Sequence, residues 1–543
     1  MLKASTKKDN SEKCLESFKK NPGKISKSSN YIFQSVHDIF HKHQVLRDPT
    51  TAILLVIIYG AYAALGFYAM TYYTSLVFAV FFGIICYPLF VRNNSNPKKK
   101  NHTRGFSLHP AIMLFFLMPF SFAVVLLLFP DEQNNKETFL PLQMLVVYNY
   151  SIALLFLLIL VPMALLNKSN SNAHFLSSSQ SGYCPSLSII VPAHNEEKVI
   201  ERTIKSVLQN NYPKKELIII NNASTDNTSK LLKKYANKIQ IVNEYQKGKA
   251  IAINSGIRVS HGQIIVVMDA DTIVTKDAFR NIVQPFYKNP KMGAVTGNVK
   301  ILNYNDNYHT KIQVLEYALA SQISKAALAS QEAVTIVSGA FGAFRKSVID
   351  LCCPFSNDTL TEDLDATITV LKNGYTTTIQ ETAVAYTEAP TSLTDLIKQR
   401  TRWYRGLFQG YAKHPELLTK VAFGHMPGLI YFLMFNASLV VPLIGFANLA
   451  VVIYLLIAGS TTLAIQFILL NAVAMSGLFV LSLRLNKDKL QCMKLFPLAF
   501  VYLRIHDFIF VKAMLEHVFK RKAKWNHLKR IGDEIQQSKN RND

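Results

Sequence analysis

Acidic side chains are scarce in this chain: 35 Asp and Glu stand against 59 Lys and Arg, leaving a formal net charge of +24. An excess of that size suits either a nucleic acid or an anionic membrane surface. No recognisable nucleic-acid motif is present, so nucleic acid is excluded as the expected partner. The basic residues crowd instead beside long apolar runs, as in Lys520, Arg521, Lys522 and Lys524, where lipid headgroups can meet them. Cysteine is also sparse. The six (14, 86, 184, 352, 353 and 492) show no C-x-x-C pair and no zinc spacing, and read as reduced cytoplasmic thiols. Residues 1–50 lack the short apolar region and cleavage site of a secretory leader. Tryptophan occurs only twice, at Trp403 and Trp525.

Apolar residues, by contrast, make up 50% of the chain, and they cluster toward its ends. Runs at 51–70, 73–91, 110–130, 142–166, 462–483 and 495–515 each approach the ~20 residues that a membrane-crossing helix needs. The stretch 427–457 is longer and holds Asn436 and Pro442, so it predicts either one tilted helix or two segments. Ten Lys and Arg in 1–50 and five in 92–109 place both on the cytoplasmic side, against a single Lys136 among three acids in 131–141. Four spans over 51–166 then return the chain to the cytoplasm. Three to four further segments are expected over 427–517, followed by a basic tail at 518–543. The whole is expected in the cell membrane, with its middle domain cytoplasmic.

A Ser- and Asn-rich linker (167–186) leads into sequence of another kind. Short apolar runs at 187–193, 216–221, 238–242 and 263–269 alternate with helical patterns at 197–210, 227–236 and 248–259. This alternation predicts a parallel α/β sheet covered on both faces. Ligands of such sheets bind beyond the carboxyl ends of the strands. The polar clusters fall there: HNEE (194–197), NNASTDNT (221–228) and DAD (269–271). Singly, each has an ordinary structural role, since Glu196 and Glu197 suit a helix start and Ser224 or Asp226 an N-cap. Asp269 and Asp271 are different. In an extended chain positions i and i+2 face the same side, so two like charges there call for a positive partner. A divalent cation, Mg²⁺ or Mn²⁺, sharing a substrate diphosphate would supply it.

Two more clusters follow. LTEDLDATITVLKNGY (360–375) predicts a helix start bearing Asp363 and Asp365. LTDLIKQRTRWYRGLFQGY (393–411) predicts an amphipathic helix with Gln399, Arg402 and Trp403 on one face, and the segment 393–426 is expected to lie at a membrane surface.

The ordered set HNEE, NNASTD, MDADT, TED and QRTRW resembles the family 2 processive membrane glycosyltransferases, which include the cellulose, chitin, hyaluronan and poly-N-acetylglucosamine synthases. The motifs lie within about 187–412. The resemblance implies a GT-A, Rossmann-like α/β domain over 187–392. It implies a nucleotide-sugar site at Ala193, Glu196, Asn222, Lys249 and Asp269, and a metal held by Asp271 with Asp269. Asp363 would be the general base, while Glu362, Gln399, Arg402 and Trp403 would hold the diphosphate side and the acceptor. One departure stands out: relatives carry an acid where this chain has Asn222, and an amide donates as well as accepts.

TED together with VSGAFGAFRKS (337–347) resembles the cellulose and poly-N-acetylglucosamine branches, and WNHLKR, with Trp525 and Arg530, resembles the tail of the second. The expected activity is therefore processive, inverting transfer from UDP-N-acetylglucosamine to a growing β-linked polysaccharide, with export across the membrane. Membrane lipids, and a small accessory membrane protein, are the further partners so implied. Arg504, His506, Asp507 and Lys512 interrupt the last apolar run. They predict either a polar lining for the polymer or a helix lying partly at the interface. Two other functions fit less of the pattern. One is single-sugar transfer to a lipid phosphate or short acceptor, and the other is a transporter or receptor with a non-catalytic nucleotide-binding domain.

Overall fold

In the computed structural model the described residues are 182–352, 355–415, 441–486 and 490–519, with a few residues between 160 and 167. All belong to the larger of the two units into which the chain divides, 58–543. The apolar runs between 51 and 130, most of 142–166, the start of 427–457, and Trp525 and Arg530 lie outside the described residues.

The predicted alternation folds into β1 (Leu187–Ala193), α1 (Ile200–Leu208), β2 (Lys215–Asn222), α2 (Thr228–Lys233), β3 (Gln240–Glu244), α3 (Lys249–Arg258) and β4 (Ile264–Met268). There follow β5 (Ile273–Val274), α4 (Ala278–Ile282), α5 (Gln284–Lys288), β6 (Met292–Ile301) and α6 (Tyr308–Leu319). A π-helical turn, Ala320–Lys325, joins α6 to α7 (Ala326–Ala329). Next come β7 (Phe341–Arg345), α8 (Lys346–Cys352), α9 (Glu362–Lys372), β8 (Thr376–Thr387) and α10 (Leu393–Lys413). The helices α11 (Val441–Ile457), α12 (Thr461–Asn486) and α13 (Phe496–Val518) complete the described part.

One eight-stranded sheet has the order β3-β2-β1-β4-β7-β6-β8-β5. Strands β1 to β4 pair in parallel, as predicted. The sheet as a whole is mixed, which corrects the all-parallel expectation: β7 runs antiparallel to both β4 and β6, and β5 antiparallel to β8. The near-continuous apolar strands are explained by burial on both faces. Ile189, Val191, Ile219 and Val266 pack into one layer with α1 and α4, while Ile190, Ile218, Ile265 and Val267 pack into the other with α3, α8 and α9. In β1, β2 and β4 this alternation leaves the strand centres apolar and puts the polar motifs just beyond their carboxyl ends.

Among the described residues no helix is long and apolar enough to cross a membrane. Length alone would allow α12 and α13, at 26 and 23 residues. In α13, however, Arg504, His506, Asp507 and Lys512 break the apolar character. Arg504 donates to the Gly445 carbonyl at 2.9 Å and pairs with Asp507 at 3.1 Å, while His506 meets the Tyr404 hydroxyl at 3.1 Å. Much of the apolar face of α10 is covered by protein. Leu396 packs with Ile312 and Phe479, Leu407 and Tyr411 with Leu364 and Ile368, and Phe408 with Phe510.

Candidate active site

The ends of β1 and β2 are stitched together by their own polar motifs. Asn195 accepts from the Thr225 N–H at 2.7 Å and donates its own N–H to Ser224 Oγ. The N–H groups of Glu196 and Glu197 donate to Thr228 Oγ1 (2.9 Å) and Asp226 Oδ2 (3.1 Å), and Glu197 accepts from the Asn227 N–H. Much of HNEE and NNASTDNT is therefore a clasp, which keeps two strand ends open in register. Asn195 and Ala223 hold φ of 57° and 51°, and for alanine the left-handed region costs about 1–2 kcal/mol. Such strain concentrates at functional sites.

Asn222 is buried, and its amide is committed. Its Oδ1 accepts from the Gly248 N–H at 2.9 Å, and its Nδ2 donates to the Gln246 carbonyl at 2.7 Å. A carboxylate could not make the second bond. The departure from the family pattern thus holds the 244–248 loop in place. Gly248, at φ 152° with Asn357 and Ile251 each 3.2 Å from where a Cβ would stand, turns that loop into α3. Lys249, the first residue of α3, is thereby aimed across the cleft.

Lys249 joins two motifs. Its ammonium lies 2.6 Å from Asp269 Oδ1 and 3.0 Å from Glu362 Oε1. Burial opposes the charge, but the carboxylates of Asp269, Glu362 and Asp363 outweigh it and hold the lysine above its ordinary pKa. The positive partner that the D-x-D pattern demanded is thus present in the protein itself.

The two aspartates of that pattern differ in exposure and in partners. The strand stops at Met268, and the Thr272 N–H donates back to the Asp269 carbonyl, so the chain turns instead of staying extended. Asp269 is 32% exposed, whereas Asp271 is only 4% exposed and accepts from Thr387 Oγ1 at 3.1 Å. Among the described residues, no group of three or more His, Cys, Asp or Glu is placed to hold a metal. The donor set fits a hard cation that takes one or two protein carboxylates and completes its shell with diphosphate oxygens and water.

Asp363 sits at the start of α9, and backbone N–H groups hold both its oxygens: Gly339 donates to Oδ2 at 3.1 Å and Leu364 to Oδ1 at 2.9 Å. Burial and the adjacent Glu362 push its pKa above the usual carboxylate range, against Lys249 and the two N–H groups. The helix is pinned to α10. A Cβ on Gly406 would come within 2.5 Å of Thr361, and a Cβ on Gly410 within 2.8 Å of Leu364. Asp365 meets His414 at 2.7 Å and Lys413 at 2.9 Å. Gln399, Arg402 and Trp403 lie half-buried along the same α10, and Ala193 closes β1 beside Asn221.

Two participants escaped the sequence. Lys325, at the end of the π-helical turn, feels Asp363 as its one resolved charge partner, and burial lowers its pKa to about 8. π-Helical turns gather at functional sites, but no residue pattern in 320–325 announces one. Arg400 occupies an interior position of Q-x-x-R-W, and its signal is that of an arginine on the buried side of an amphipathic helix.

A profile described as glycosyltransferase like family 2 matches residues 185–406, the span just described. Over that span the chain is similar to family 2 glycosyltransferases. Curated relatives include the poly-beta-1,6-N-acetyl-D-glucosamine synthase of Staphylococcus epidermidis, 33% identical over 238 residues. That match covers 43% of this chain and 58% of the relative. The synthase of the same description from Staphylococcus aureus is 35% identical over 223 residues, covering 40% of this chain and 54% of the relative. The chain thus spans little more than half the length of these relatives. Among solved structures, a mannosyltransferase from Pyrobaculum calidifontis in complex with GDP-Man and Mn²⁺ is 19% identical, with a TM-score of 0.43. The match covers 67% of this chain and 100% of that one.

Proposed function

We propose that the chain is a membrane-embedded, processive, inverting glycosyltransferase. It would take N-acetylglucosamine from the UDP sugar, lengthen a β-linked polysaccharide and pass it across the membrane. The observation that carries the reading is the bridge Asp269–Lys249–Glu362 with Asp363 beside it. It joins a diphosphate-side carboxylate to a proton acceptor across one cleft.

The donor would lie over the ends of β1, β2 and β4, against Ala193, Glu196 and Asp269. Because the Asn222 amide is spent on its own loop, the base would be met by other groups. Asp271 with Asp269 would hold the divalent cation, which would offset charge on the departing diphosphate. The acceptor hydroxyl gives its proton to Asp363, and its oxygen attacks the anomeric carbon from the side opposite the diphosphate. The anomeric C–O bond breaks, and its electron pair leaves with UDP. Held by two N–H groups, Asp363 is oriented for the hydroxyl, and its raised pKa strengthens it as a base. Arg402 would add positive charge on the leaving side, and Trp403 a flat face for the acceptor sugar.

Exposed Ile453, Ile457, Ile465, Leu469, Val501 and Phe508 on α11, α12 and α13 support contact with lipid. Charges paired between α13 and its neighbours support a polar interior there. The test is to supply purified membranes with labelled UDP-N-acetylglucosamine and a divalent cation, then to size the product. Metal-dependent growth of a long polymer is expected. A single-sugar lipid product would remove processivity, and no consumption of any nucleotide sugar would remove the activity.

A further inference from the structure

Arg400 is 1% exposed and heads the fully buried side chains by size. It lies one residue from Gln399 and three from Trp403, so it borders the face that carries both. Its Nε and Nη2 donate to the two oxygens of Glu316 on α6, at 3.1 and 2.8 Å. Its Nη2 also reaches Gln313 Oε1 at 3.4 Å, and its Nη1 donates to Gln399 Oε1. The guanidinium carbon stands 4.1 Å from the centre of the Trp403 ring. One buried cation therefore touches two of the side chains expected to meet the acceptor.

The consequence for Gln399 follows from donor inventory. A guanidinium has donors and no acceptor, so the amide must turn its oxygen to Arg400. The Nε2 end is left as the group that a ligand can use, and it can only donate. Its complement is an oxygen, such as a sugar hydroxyl, a ring oxygen or a phosphoryl group. For Trp403, a cation against one face leaves the other for a second flat or apolar surface. The anchor is itself held from a second side, because Glu316 also has His506 of α13 at 3.9 Å. The network thus ties α10 to α6 and α13 at the acceptor motif.

We propose that Arg400 is the positioning residue of the acceptor site, fixing Gln399 with its donor end outward and backing the Trp403 ring so that its free face receives a sugar. This rests on the reading that Gln399 and Trp403 contact the acceptor. Lysine in its place keeps the charge but loses the planar fork and the stack.

The test compares full-length wild type, Arg400→Lys and the double variant Arg400→Met/Glu316→Gln, in membranes. Donor and acceptor KM are measured with UDP-N-acetylglucosamine and a short β-linked N-acetylglucosamine oligomer. In Arg400→Lys, acceptor KM is expected to rise about tenfold more than donor KM, the scale of losing one charge-assisted hydrogen bond. The double variant removes both partners of the buried pair, so it guards against a mere folding defect. It is expected to regain thermal stability while acceptor KM stays high. Equal changes in both constants, or recovery of acceptor KM in the double variant, would overturn the proposal. Oligomer binding read by tryptophan fluorescence needs no turnover. If wild type binds the oligomer but consumes no nucleotide sugar, the functional reading fails while the Arg400 comparison continues by binding. Equal affinity of wild type and Arg400→Lys for the oligomer would then end it.

Discussion

The cleft holds two acidic pairs, and the fold treats them in opposite ways. At the end of β4 the pair is split. Asp269 faces the cleft with a lysine on it, and Asp271 turns inward onto the Thr387 hydroxyl. At the start of α9 the two acids stay adjacent, and only Glu362 has the lysine in direct contact. Asp363 is left to backbone N–H groups and to its neighbour's negative charge. Separation gives each carboxylate at the end of β4 its own partner, as the proposed cation site would need. Crowding without a direct ion pair raises a carboxylate's proton affinity, as suits a base.

The largest expected effect comes from breaking the second pair. Asp363→Asn keeps the shape and can still accept from the Gly339 N–H, but it cannot take a proton. The turnover number should fall about 10²- to 10⁴-fold, with donor KM changed little. Turnover surviving that change would remove the assigned base. A smaller effect tests the first pair. Thr387→Val is close in shape and deletes one hydrogen bond to Asp271, worth about 1 kcal/mol, so half-saturation by Mn²⁺ should rise roughly fivefold. The acid limb of the pH–rate profile should stay in place. A moved limb with unchanged metal dependence would mean that the two pairs had been assigned the wrong way round.

The sequence revealed the parallel half of the sheet well, because strands buried on both faces read as unbroken apolar runs between turn-rich loops. It revealed the cleft less completely. β8 holds five Thr with Ile379, Val384 and Tyr386, a strand-like composition, but no turn-bounded apolar run marks it. Nothing local in MDADT says that the strand ends at Met268, so the extended chain expected through Asp269 and Asp271 gives way to a turn. The amide of Asn222 finds its partners 24 and 26 residues along the chain, a pairing set by the β2–β3 register. Lys249 was legible as a residue near the nucleotide. Its span from Asp269 to Glu362 was not, since a cross-cleft bridge depends on how α3 and α9 pack.

Lys325 separates the two pairs most finely, because Asp363 is the one resolved charge that it faces. Burial lowers its pKa to about 8, so below that pH it carries a charge that favours the ionised form of Asp363. Asp363 already has a raised pKa, and the base is active only when ionised, so the rate should climb through a pH above the ordinary carboxylate value of about 4. Lys325→Met removes the cation and raises the Asp363 pKa further. The acid limb should then move to higher pH. The plateau rate, reached wherever Asp363 is fully ionised, should hold with or without the lysine. A limb that stays put would place the Lys325 charge outside the base's field. A lost plateau would instead make Lys325 a group that touches the reacting sugars.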